Sequence, residues 1–191
     1  MRLACLLITL SACSANPFDE LRQQGADRYL GLAQIEATTS IEGVTTTTFT
    51  VASGARCLDG SPYRASTRPG NGKDLLIFLN GGGACWSELC IATESAQTGL
   101  YAIGILNQGL ASNPFADFDL LFTPYCDGSL FAGDVAIDSD DDGEPDRFQF
   151  GLRNLSAALD LGKATYPSPE RIVVAGSSGG GFGTIAATIL T

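Results

Sequence analysis

Val173-Val174-Ala175-Gly176-Ser177-Ser178-Gly179-Gly180-Gly181 is the stretch on which the reading of this chain turns. A β-branched apolar run meets the pattern G-x-S-x-G with Ser178 at its centre, and small residues follow to Thr191. A strand that turns sharply into a helix sets such a serine hydroxyl on a tight turn. The flanking glycines allow close packing there, and the N–H after the serine can help bind an oxyanion. Ser177 fails the same register, because Ala175 stands where a glycine is needed. The competing reading is a phosphate-cradling or purely structural glycine turn. A Walker lysine is missing, and so is an acidic residue at dinucleotide-fingerprint spacing. Ser178 is the candidate nucleophile.

Upstream, Asp74-Leu75-Leu76-Ile77-Phe78-Leu79-Asn80 ends at Gly81-Gly82-Gly83. Hydrolases that use a nucleophile elbow take a second oxyanion donor from a Gly-rich loop after such a strand. The run does not alternate, which predicts a strand buried on both faces, and Phe118 to Tyr125 and Arg171 to Ala175 read the same way. Thr45 to Val51 is β-branched and predicts a further strand, while Gly54 to Gly72 reads as loop. Helices are expected over Glu88 to Thr98, over Arg147 to Ala164 and over Gly180 to Thr191. The second would present Phe148, Leu152, Leu155, Leu159 and Leu161 on one broad face and stop before Pro167. Strand and helix alternate, so the expected fold class is α/β, with a mainly parallel sheet and helices on both faces.

The first residues are Met1-Arg2, an apolar run from Leu3 to Leu10, then Ser11-Ala12-Cys13. They read as an export signal that resembles a bacterial lipobox, with Cys13 the lipidated first residue of the mature chain. An ordinary signal peptide or a small buried helix is the alternative. The run is too short to span a bilayer. Residues 1–12 are thus a signal, 13–28 a tether, and 29–191 part of one domain. Setting aside Cys5 and Cys13 leaves Cys57, Cys85, Cys90 and Cys126, an even number in an exported chain. Two disulfides follow, with three possible connectivities. A local Cys85–Cys90 bridge is cheap in loop closure and leaves Cys57 with Cys126. A zinc site is the weaker use of these four, since no second close pair exists.

The 191 residues include 11 basic and 21 acidic ones, a formal charge of −10. With Lys73 and Lys163 as the only lysines there is no basic face, which argues against nucleic acid and anionic lipid as partners. Membrane contact is expected only through the lipid at Cys13. Histidine is absent altogether. A Ser-His device complete within these residues is therefore excluded, as is a histidine-ligated metal.

Four segments in order give the chain a family likeness: Cys57-Leu58-Asp59-Gly60-Ser61-Pro62-Tyr63, the Gly81 to Cys85 loop, Asn113-Pro114 leading to Tyr125-Cys126-Asp127-Gly128-Ser129-Leu130-Phe131-Ala132-Gly133-Asp134, and Gly176 to Gly180. From Cys57 onward the chain resembles the pectin acetylesterase family, which also includes the animal deacylase Notum. The resemblance implies an α/β-hydrolase-like carboxylesterase that acts on acylated carbohydrate or small esters through an acyl-enzyme. Ser178 would be its nucleophile, and the N–H groups of Gly179 and Gly82, with Gly81 the alternative, its oxyanion hole. It also implies the pairs Cys85–Cys90 and Cys57–Cys126. No catalytic cofactor is implied. Two departures stand out. Ala84 occupies a position often aromatic in the family, with Trp86 beyond Cys85, and the family's acid and histidine follow the elbow helix, where this sequence stops. The expectation is an N-terminal fragment, inactive alone. The contrasting reading is a non-catalytic, carbohydrate-binding surface lipoprotein with a degenerate hydrolase fold. The oligomeric state is left open.

One further feature is Asp138-Ser139-Asp140-Asp141-Asp142-Gly143-Glu144-Pro145-Asp146. Asp138, Asp140 and Asp142, with Gly143 in sixth place, match the opening of a Ca²⁺ loop. Gln149 stands where the bidentate Glu belongs. A solvated acidic turn is the competing reading.

Overall fold

The three unalternating apolar runs lie side by side as neighbouring parallel strands, and the rest of the fold is arranged about them. The computed structural model describes residues 18–70, 73–86 and 89–191. The expected signal, Cys13 and the first part of the tether lie outside the described residues. In chain order the elements are α1 (Asp19–Gln23), β1 (Ile35–Ile41), β2 (Val44–Phe49), β3 (Arg64–Arg68), β4 (Asp74–Leu79), β5 (Gly83–Trp86), β6 (Leu89–Ala92), β7 (Asp119–Thr123), β8 (Val135–Ile137), β9 (Arg147–Gln149), α2 (Gly151–Thr165), β10 (Arg171–Gly176) and α3 (Gly179–Leu190). None of the described helices is long and apolar enough to cross a membrane.

Six strands form one sheet in the order β1-β2-β3-β7-β4-β10. Only β7, β4 and β10 run parallel, while β1, β2, β3 and β7 pair antiparallel, so the sheet is mixed rather than mainly parallel. For β1 and β2 the cause is connection length. β1 and β2 are joined by Glu42 and Gly43, both at positive φ, a tight hairpin that permits only antiparallel pairing. β3 lies inside the stretch expected to be loop. Its residues Ala65, Ser66 and Thr67 are buried, but RASTR lacks the apolar run that marks its neighbours.

Among the described residues, helices do not cover both faces. α2 and α3 share one, where Leu155, Leu159, Ala187 and Leu190 pack with Leu75, Ile77, Leu79 and Leu121. The other face, with Leu76, Leu120 and Phe122, is covered by irregular chain that brings Leu100, Ile105, Leu106, Phe115 and Phe118 onto it. The helix expected over Glu88 to Thr98 is absent from the described residues of that stretch. Strand β6 stands there, pairing with β5 so that Cys90 lies directly opposite Cys85. The helix expected from Arg147 begins at Gly151, because Arg147–Gln149 pairs with β8 and the Phe148 N–H donates to the Leu58 carbonyl.

Asp134 ties three parts of the chain together. It accepts from the Tyr29 hydroxyl at 2.5 Å, from the Arg28 guanidinium at 2.8 Å and from Arg153 Nε at 2.6 Å. Burial pushes its carboxyl up, but Tyr29, Arg28 and Arg153 outweigh this and hold it at about 2. The Arg153 guanidinium also lies 4.0 Å over the Phe150 ring. Leu155 is wholly buried between α2 and the sheet. Leu155→Ala is expected to lower the unfolding free energy by about 2–5 kcal/mol, with the m-value unchanged, in chemical denaturation.

Candidate functional site

Register brings the candidate residues together. Gly176 at the end of β10 lies beside Leu79 at the end of β4, so the turns after the two strands meet. Ser178 occupies the β10–α3 turn at φ 50° and ψ −123°, a conformation that a non-glycine residue holds only when its surroundings impose it. It is exposed, and its hydroxyl caps no helix N–H and has no hydrogen-bond partner among the described residues.

Backbone contact imposes that turn. A β-carbon on Gly176 would collide with the Gly180 carbonyl, and one on Gly180 would collide with the Leu79 carbonyl and stand 2.6 Å from the Asn80 carbonyl oxygen. Gly81 comes as close on the other side. A β-carbon there would lie 2.6 Å from both the Ser177 carbonyl oxygen and Ser178 Cβ. The Ser177 N–H donates to the Leu79 carbonyl at 3.1 Å, which fastens the elbow to the end of β4. Gly81, Gly82, Ser178 and Gly179 are thus brought into one place. Neither the Gly82 nor the Gly179 N–H has an acceptor among the described residues. Two free donors beside an exposed serine can receive a developing negative charge.

Thr93 Oγ1 lies 2.6 Å from where a Gly82 β-carbon would stand, and two further side chains border these glycines, none of the three assigned a role by the sequence reading. The Tyr125 ring lies 2.8 Å from where a Gly82 β-carbon would stand, and Leu130 Cδ2 lies 3.4 Å from the corresponding point on Gly179. Their signal was present in the Tyr125-to-Asp134 segment, but nothing local distinguishes a pocket wall from a core residue. Both disulfides are formed. Cys57–Cys126 closes a separation of 69 residues in the core next to Tyr125, and Cys85–Cys90 clips the hairpin that follows the glycine loop.

Asp127 is 1% exposed. Burial pushes its carboxyl up to about 6, while the Ser129 hydroxyl and the backbone N–H groups of Gly151 and Ser129 favour the charged form. Gly151 opens α2, so Asp127 caps the helix that buries most of the core. Elsewhere, Asp138, Asp140 and Asp142 each place one carboxylate oxygen within 4.8 Å of the others. That spacing admits one cation. Asp138 already accepts from the N–H groups of Asp142 and Gly143, which satisfies the turn from within.

The family described as Pectinacetylesterase matches residues 35–188. A relative from Arabidopsis thaliana named Pectin acetylesterase 11 is 34% identical over 102 residues, covering 46% of this chain and 26% of the relative. The chain thus matches about a quarter of that relative's length.

The buried Asp127 generates a pH prediction. Its folded pKa lies above the unfolded value, so the folded state binds more protons and stability falls as pH rises between about 4 and 6. Asp127→Asn keeps an acceptor but cannot ionise. It is expected to remove a pH-dependent loss of roughly 2 kcal/mol from the unfolding free energy measured from pH 4 to 7. An unchanged slope would assign that dependence elsewhere.

Proposed function

The chain belongs to the pectinacetylesterase family, and on that premise we propose that it performs the acyl-enzyme half of a carbohydrate acetyl esterase reaction at Ser178. The observation that supports this reading is Ser178, held at positive φ with its hydroxyl free, beside the unoccupied N–H groups of Gly82 and Gly179. Ser178 Oγ attacks the acetyl carbonyl carbon and its proton leaves to a base. The carbonyl oxygen becomes an oxyanion between the two N–H groups. As the tetrahedral centre collapses, the sugar oxygen departs and takes up a proton, leaving acetyl-Ser178. Water then releases acetate. Each donor of such a pair contributes about 10²–10³ in rate.

The 191 residues contain no histidine. Asp127 does not substitute for it, since its carboxylate is buried and engaged with Ser129 and Gly151. Within these residues the Ser178 proton passes to solvent, and no base activates the water that would remove the acetyl group. Acylation is then slow and deacylation slower. The two disulfides suit an exported protein in an oxidising compartment, where a lipid on Cys13 would hold it at the envelope.

Trp86 supplies a surface for the sugar. It is the only tryptophan in the chain, is 62% exposed, and stands on the clipped hairpin after the glycine loop. An exposed indole offers an apolar face to the C–H face of a pyranose ring.

With 4-nitrophenyl acetate the 191-residue chain is expected to take up one acetyl group, on the peptide containing Ser178, with no continuing turnover. Ser178→Ala is expected to take up none. Mass spectrometry checks both, and labelling that persists in the alanine variant would refute the assignment. An acetylated pectin oligosaccharide is expected to shift the fluorescence of Trp86, and Trp86→Ala to weaken its binding by about fivefold or more in calorimetry.

A further inference from the structure

We infer that Tyr125 is the positioning residue of the oxyanion hole. Its ring sets the spacing between Gly82 and Gly179, and its hydroxyl fixes the turn that walls the pocket beside them. The inference rests on the reading of Ser178 as nucleophile.

The two donor glycines come from different elements, the β4–β5 loop and the start of α3. Among the described residues no hydrogen bond joins Gly82 to Gly179; backbone contacts hold the loop against the elbow, and one side chain borders both donor glycines. Tyr125 lies against both. Its Cδ1 is 2.8 Å from the β-carbon position of Gly82, and its Cζ is 3.7 Å from that of Gly179. One rigid ring therefore borders both glycines, and two χ angles are all that must be fixed to hold it. Its backbone is anchored by the neighbouring Cys126–Cys57 bridge, and Phe131 packs on it with ring centroids 5.2 Å apart.

The hydroxyl has a separate task. It accepts the Leu130 N–H at 2.9 Å. Leu130 and Phe131 stand at φ 57° and 65°, a left-handed pair that these residues adopt only when held. That turn aims Leu130 Cδ2 to within 3.4 Å of the Gly179 β-carbon position and presses Phe131 against Gly183 of α3. Burial pushes the Tyr125 hydroxyl up to about 12. It therefore stays neutral at any working pH, and no charge builds up next to the site of the oxyanion.

The test compares Tyr125→Leu and Tyr125→Phe with the parent 191-residue chain. Acetylation of Ser178 by 4-nitrophenyl acetate is followed by intact mass over a range of ester concentrations. Tyr125→Leu is expected to lower the limiting rate by about tenfold or more with the half-saturating concentration within about twofold, the mark of lost transition-state stabilisation. Tyr125→Phe keeps the ring and is expected to restore the rate to within about threefold. Amide hydrogen exchange supplies an independent reading. Tyr125→Leu should speed exchange at Thr93, which donates to the Gly82 carbonyl, and at Gly180, which donates to the Ser177 carbonyl, and leave Leu76 and Leu121 unchanged. Tyr125→Phe should speed Leu130. A parental limiting rate in Tyr125→Leu, or unchanged exchange at Thr93 and Gly180, overturns the inference. Should Tyr125→Leu fail to fold, unchanged exchange at Leu130 in Tyr125→Phe overturns it. Absence of acetyl-Ser178 in the parent chain refutes the esterase reading instead, and the exchange data then decide the role of Tyr125 on their own.

Discussion

The structure depends on backbone packed directly against backbone where β4, β10 and α3 meet. Gly176 faces Gly180, Gly180 faces the carbonyls of Leu79 and Asn80, and Gly81 faces the Ser177 carbonyl. No side chain has room at any of these contacts. A methyl group at one of them would push α3 off the strand ends, and Ser178 would relax from its positive φ. The parallel register of β10 on β4 places the two turns at the same level, so the site is a consequence of how the sheet ends.

Holding that arrangement requires ties from well outside it. Cys57–Cys126 joins the loop before β3 to the segment after β7. Asp127, one residue further on, reaches the first turn of α2, and Asp134 joins α2 to the chain around Arg28 and Tyr29. The cost of burying Asp127 is partly offset by its hydrogen bonds. Together these contacts tie the elements around Tyr125 to one another.

The legible parts of the fold are those where local chemistry and tertiary environment agree. The apolar runs of β4 and β7 are buried and read as strands for that reason, whereas β10, read the same way, has no buried residue because it is the last strand of the sheet. β3 reads as loop because RASTR has no apolar run, and its neighbours rather than its composition make it a strand. The stretch from Glu88 to Thr98 reads as helix, because a short mixed segment fits either period until Cys90 is set opposite Cys85 in β6. The helices on one face followed from the α/β pattern, but the covering of the other by irregular chain did not. Its apolar residues, Leu100 to Phe118, are spread too thinly to show a period.

The sequence by itself determined that Ser178 stands in a strand–turn–helix elbow, that a glycine loop follows a buried strand, and that no imidazole is present among these residues. Those are matters of residue type and short spacing, and they survive without knowledge of the fold. Only the tertiary structure decided that Gly81 lies against Ser178, that Tyr125 stands beside both Gly82 and Gly179, and that Leu130 borders Gly179. Gly81 and Ser178 are almost a hundred positions apart in the sequence. Their meeting is set by the pairing of β4 with β10, a non-local contact on which neither segment bears any mark.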